Sequence, residues 1–160
     1  MSTAVQPRPR LVGGKHYYTI VASKFNSDYV QGLVTHASEE LRRLAPSSVV
    51  SLFQVPGAFE IPVIVREVAM QKKAAAIIAI GVILKGDTSH AENLSRSVTD
   101  ALQQIAIEHG IPVVNAVLSM ESELQAQQRC LEDEINRGTE AARAAVEITH
   151  VIADVRARQS

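Results

Sequence analysis

The chain has one cysteine, no tryptophan, and aromatic residues at only 4% of the total. A lone Cys130 cannot close an intramolecular disulfide, so nothing covalent braces the fold, and a reducing compartment, the cytoplasm, is expected. With aromatics this scarce, one placed in a polar loop stands out. Long apolar runs are missing too: none reaches the roughly 18 residues of a membrane span, so no membrane role is expected. Charge of one sign is also lacking. The 16 Lys and Arg face 17 Asp and Glu, a formal net charge of -1, and no overall basic field draws the chain to nucleic acid or acidic lipid. Dinucleotide-binding and Walker glycine motifs do not occur, nor does HExxH. His16, His36, His109 and His150 share no metal-ligand spacing, so no metal site is expected.

What is present reads as one ordinary domain. At 160 residues, 46% of them hydrophobic, a chain of this size hides roughly 68–70% of its unfolded surface. Residues 1–15, "MSTAVQPRPRLVGGK", hold prolines and paired glycines but no apolar core of a signal peptide; they read as a flexible arm with Arg8 and Arg10 in solvent. Residues 16–160 read as a single domain without internal repeats. Apolar, β-rich stretches at 16–22, 49–55, 74–84 and 112–118 alternate with helical patterns. Val30, Leu33, Val34, Ala37, Leu41 and Leu44 form one face of the first helix. A second helix spans 59–73, where Pro62 is tolerated because it falls in the first turn. Leu94, Val98, Ala101, Leu102 and Ile105 mark the third, which Gly110 ends as a C-terminal cap. A helix over 121–131, a break at 136–138 and a long alanine-rich helix complete the chain. The stretch "AAAIIAIGVIL" is continuous rather than alternating, as in a central parallel strand covered on both faces. The fold class is therefore α/β, a parallel sheet with helices on both faces.

In such a sheet, ligands bind beyond the carboxyl ends of the strands. The loops there are "SKFN", "PGAFE", "KGDTSH" and "SMES". In "KGDTSH", Gly86 lets backbone approach a ligand, and the amides of Asp87, Thr88 and Ser89 lie at a helix start that attracts phosphate. Thr88 or Ser89 can equally cap that helix, and the two uses are compatible. His90 falls in the first turn, where the helix dipole favours a neutral imidazole able to accept a proton; an exposed histidine without a task is the plain alternative. Phe25, in "SKFNSD", either stacks on a flat ring or folds back over the core. Glu60 suits its helix start and can accept hydrogen bonds from a ligand. Arg129 is either solvated or reaches a phosphate across a mouth or subunit boundary. Cys130 has no ordered histidine partner and reads as a packed thiol.

Taken together, "VASKFN", "VPGAFEIP", "AIGVILKGDTSH", "IPVVNAVLS", "LQAQQR" and "NRGTEAARAAVEI" resemble the lumazine synthase family in order and spacing, from about Tyr18 to Ile152. The resemblance implies a flavodoxin-like three-layer sandwich with a central four-stranded parallel sheet. It implies condensation of 5-amino-6-(D-ribitylamino)uracil with 3,4-dihydroxy-2-butanone 4-phosphate to 6,7-dimethyl-8-ribityllumazine, the penultimate step of riboflavin biosynthesis. No cofactor is implied, because proximity and proton transfer carry dehydration, elimination and cyclisation.

Carried onto this chain, Phe25 would stack on the pyrimidine, and Ala58, Phe59 and Glu60 would hold that substrate and its ribityl chain. Val82, Ile83 and Leu84 would line the pocket, and Asn115 would face the pyrimidine from the adjacent subunit. Asp87 and Thr88 would offer amides to the phosphate, Arg129 its counter-charge, and His90 would shuttle protons. Arg137 stands where the family usually has lysine. The implied partners are small-molecule substrates, further copies of the chain, and riboflavin synthase, with no nucleic acid and no membrane.

Departures from the family pattern are Ala91 in place of an aromatic after the histidine and a glycine-free "CLEDEI" segment. With Pro7 and Pro9, which hinder strand addition by the arm, that segment points to a pentamer or a pair of pentamers rather than a sixty-subunit capsid. A non-catalytic flavin- or lumazine-binding paralogue and a shell-forming structural subunit are the rival readings.

Overall fold

A computed structural model describes residues 2–86 and 88–159. The strands are β1 (Tyr17–Ser23), β2 (Val49–Val55), β3 (Ala76–Leu84) and β4 (Val113–Met120). All neighbours pair in parallel, in the order β2-β1-β3-β4. Burial follows position in that sheet. The inner strands β1 and β3 are buried along nearly their whole length, whereas of the edge strands β2 is largely open and β4 is mostly half-buried. The uninterrupted apolar run of β3 thus reports a strand with helices on both sides.

The helices are α1 (Ser27–Leu44), α2 (Ile61–Met70), α3 (His90–His109), α4 (Glu123–Cys130) and α5 (Arg137–Gln159). Alternating residues of β3 serve two cores. Ile78, Ile80 and Val82 pack with α1, α4 and α5, while Ile77, Ala79 and Ile83 pack with α2 and α3. The expected α/β sandwich is the one observed. Element limits differ modestly from expectation: β4 runs on to Met120, and the helix expected over 59–73 opens as a 3-10 turn at Ala58–Glu60 and ends at Met70. Gly110 takes the left-handed conformation (φ 63) that closes α3. Gly138 begins α5 where a Cβ would collide with the Leu33 carbonyl of α1, so these helices meet closely.

In the amino-terminal segment, Arg8 and Arg10 remain more than half exposed, as expected of solvated arginines, yet both are ion-paired. Val12 is buried and its amide donates to the Leu44 carbonyl at 2.7 Å. Arg8 reaches Glu40 at 3.0 Å, and Arg143 of α5 reaches the other oxygen of Glu40 at 2.5 Å. Arg43 stands 3.5 Å from the same carboxylate. Arg10 lies 3.6 Å from Asp154, and its carbonyl accepts from His150 Nε2 at 3.0 Å. Glu40 occupies the buried stripe of α1 with none of its side chain exposed. It ties the segment, α1 and α5 together.

Burial alone would push the Glu40 carboxyl upward. Hydrogen bonds from Arg143 and Arg8 outweigh that and hold it below the ordinary value of 4.5. A carboxyl depressed on folding stabilises the protein above its unfolded pKa, and that contribution fades as pH falls through the folded one. Glu40→Ala should therefore cost about 2–3 kcal/mol at pH 7. That is less than the ~3–5 kcal/mol of severing a fully buried pair, because Arg8 and Arg43 stay half solvated. Urea denaturation should show variant and wild type converging as pH drops below about 4.

Candidate active site

The carboxyl ends of the strands, at Ser23, Val55, Leu84 and Met120, bring the expected loops to one end of the sheet. After β1, Asn26 takes a left-handed conformation (φ 56, ψ 50) before α1. Asparagine tolerates this conformation better than most residues. Its Nδ2 donates to the Val82 carbonyl at 2.7 Å, stapling the turn to the end of β3. Phe25 is held just outside that staple with 73% of its surface exposed. Of the two readings of Phe25, folding over the core is excluded. Asn26 was missed by the sequence reading, although an Asn directly before the "SDYV" helix start was a usable signal.

After β2, Ala58 is buried, Phe59 is 68% exposed, and Glu60 is half-buried at the start of α2. A phenylalanine so exposed has no role in its own core. At the end of β3, the side chains of Val82 and Ile83 are buried and that of Leu84 is half-buried. Any ligand contact they make within this chain therefore falls mainly to backbone.

At the start of α3, Asp87 lies outside the described residues. Thr88 and His90 are both exposed. The capping alternative proves weak among the described residues: Ser89 occupies the N-cap without a side-chain bond, and Thr88 Oγ1 accepts from the His90 amide at 3.4 Å. The helix start is thus open to an anion. Lys85 is drawn aside, its amide bonded to the Met120 carbonyl at 2.9 Å and its ammonium 3.0 Å from Glu121. A cleft of about 540 Å³ opens here, lined by Gly86, Thr88, Ser89, Arg96 and Ser119 among others. Ala91 is 7% exposed and also lines it.

Arg129 is not solvated. It lies in the last turn of α4 with 6% exposure, and its Nε has no hydrogen-bond partner among the described residues. Arg137, at the start of α5, is 7% exposed. Its Nη1 donates to the Ala4 carbonyl at 2.9 Å and pairs with Glu140, leaving Nε and Nη2 unpartnered. Two buried guanidiniums thus keep unmet donors, a cost that Glu140 relieves in part for Arg137 and that no acid among the described residues relieves for Arg129. Asn115 is different. It pairs with Ala79 in mid-sheet, five residues before Met120 and about 16 Å back along β4. Its amide donates to Thr99 Oγ1 at 3.2 Å, and its oxygen accepts from the Val117 amide at 3.0 Å. The chain therefore does not bring Asn115 to its own mouth.

The sequence pattern of the family described as 6,7-dimethyl-8-ribityllumazine synthase matches residues 15–153. The chain belongs to this family. Two relatives carry the same name. The protein from Azoarcus sp. (strain BH72) is 37% identical over 134 residues, 83% of each chain. That from Paraburkholderia phymatum is 39% identical over 147 residues, 91% of this chain and 83% of its own. Every loop at the carboxyl end of the sheet falls inside the family match, as does the turn with Arg129 and Arg137.

Cys130 stays outside the chemistry. Burial pushes its thiol up to about 12, against a smaller opposing effect of Arg129. At pH 8 the folded protein should resist iodoacetamide and react only once unfolded, as intact-mass measurement would show. Modification of native protein at the rate of a free thiol would contradict the burial.

Proposed function

We propose that this protein catalyses the reaction for which its family is named. It would condense 5-amino-6-(D-ribitylamino)uracil with 3,4-dihydroxy-2-butanone 4-phosphate to 6,7-dimethyl-8-ribityllumazine, phosphate and water. The observation that carries this reading is the family match over 15–153, which takes in all the loops at the ligand end of the sheet.

In this reading the pyrimidine lies on Phe25 and meets Ala58, Phe59, Glu60 and the backbone of Val82, Ile83 and Leu84. The phosphate sits at the start of α3, on the amides of Asp87 and Thr88, with Arg129 and Arg137 supplying positive charge. An amine attacks the ketone and loses water to give an imine. Phosphate is then eliminated, and ring closure expels a second water. His90 carries protons between these steps. Supporting the phosphate assignment are the uncapped first turn of α3 and the unmet donors of Arg129 and Arg137.

The site is completed between copies of the chain, in a pentamer or a pair of pentamers, in the cytoplasm. The mid-sheet position of Asn115 and the openness of the mouth support a neighbour's contribution. The capture of Arg8 by Glu40 supports a small assembly, since an arm held on its own domain is not free to extend a neighbour's sheet.

The test mixes purified protein with both substrates and follows lumazine and phosphate together. Both products should appear with enzyme and not without it. Tight binding of the pyrimidine or of riboflavin without product would favour the non-catalytic paralogue instead. His90→Ala should lower kcat by about 10²-fold, the scale of general acid–base catalysis, with pyrimidine affinity little changed. Arg129→Ala should instead raise KM for the phosphate substrate by about tenfold or more, the worth of one charge-assisted hydrogen bond. Unchanged kcat in His90→Ala would remove that residue from proton transfer.

A further inference from the structure

The opposite end of the sheet carries a second cleft that the reaction does not use. It has a volume of about 430 Å³ and gathers His16 before β1, Lys72 and Lys73 between α2 and β3, His109 at the end of α3, and Arg156 of α5. The cleft lies at the amino ends of the strands, one length of the 9-residue β3 from the mouth, roughly 30 Å. No Asp or Glu lines it.

Three cations so arranged answer the carbonyl ends of α2, α3 and α5, which all finish on this side. The hydrogen bonding argues against that as the whole account. Among the described residues, no side-chain hydrogen bond or ion pair engages Lys72, Lys73, His109, Arg156 or His16; exposed cations such as Lys24, Arg42 and Arg66 are unpaired too, but these five residues gather in one cleft without an acid. A second feature is independent of charge. Lys72 adopts a left-handed backbone (φ 56), a conformation that glycine or asparagine takes at lower cost. Lys72 follows the C-cap of α2, with its amide on the Ala69 carbonyl at 3.1 Å, so this left-handed helix ending fixes the lysine at the rim of the cleft. Beside the cations, Ile111, Pro112 and Ile152 form an apolar wall.

We propose that this cleft binds a small organic phosphate. The phosphoryl group would lie among Lys72, Lys73 and Arg156, with its apolar or planar body on Ile111, Pro112 and Ile152. The volume suits a ligand of nucleotide size, since such pockets run to about 300–1,000 Å³. Inorganic phosphate would meet the cations alone, and an uncharged body would meet the wall alone. The cleft therefore recognises the combination. The inference is independent of the reaction assigned to the mouth.

The experiment titrates full-length protein with adenosine 5'-monophosphate, adenosine and inorganic phosphate at low salt. Calorimetry gives affinity, and the histidine ring protons report location. The monophosphate should bind at about millimolar affinity or tighter and shift His16 and His109 but not His90. The other two probes should bind at least about tenfold more weakly. Lys72→Gly removes a charge and relieves the backbone strain, so it should fold at least as well as wild type. It should nonetheless weaken binding by about tenfold, as should Arg156→Ala, with lumazine-forming activity unchanged. Equal binding of adenosine or of inorganic phosphate, indifference to both substitutions, or loss of binding only in Arg129→Ala would each overturn the proposal.

Discussion

The double burial of β1 and β3 is the constraint on which this structure depends. Each is covered by α1, α4 and α5 on one face and by α2 and α3 on the other. Midway along them there is no surface for a polar ligand and no space for an unpaired polar side chain. Chemistry is thereby driven to the ends of the strands, where the chain leaves the sheet and backbone groups are free. The carboxyl end received the glycine, the small hydroxyl residues and the exposed aromatics. The amino end received lysines, histidines and an arginine. Helix direction gives the two ends opposite partial charge, positive where α3 begins and negative where α2, α3 and α5 finish.

Buried charge is handled in two ways. Glu40 is fully enclosed, yet each of its oxygens meets arginine, so its charge costs little and holds the amino-terminal segment against α1 and α5. Arg129 and Arg137 are nearly as buried and keep unmet donors. The first pattern is that of a structural anchor. The second leaves Nε of Arg129, and Nε and Nη2 of Arg137, without a partner among the described residues, although Arg137 Nη1 is met by Glu140 and the Ala4 carbonyl. Both occur within α1, α4 and α5, so the element that secures the fold also carries the groups assigned to phosphate.

The position after His90 shows how a family departure acts through packing. Ala91 lies against the α2 and α3 core and lines the neighbouring cleft, where a larger side chain would take up space. The change alters the shape of the mouth without touching the uncapped helix start or the guanidiniums.

The sequence by itself determined the alternation of strands and helices, the central place of β3 and the loops that face a ligand. These follow from hydrophobic period, run length and the positions of Gly and Pro, which act over a few residues. It also carried the family likeness, since the loop motifs are contiguous. Only the tertiary structure decided the rest. Arg8 is held on the domain because Glu40, 32 residues later, is buried where α1 meets α5 and the amino-terminal segment. Arg129 became buried because α4 packs against α1, and Thr88 proved a weak cap because hydrogen-bond geometry has no signature in residue type. The basic cleft joins residues from 16 to 156. Charge separated that far along a chain acquires meaning only when folding brings it within a few ångströms, where electrostatic interaction is strong.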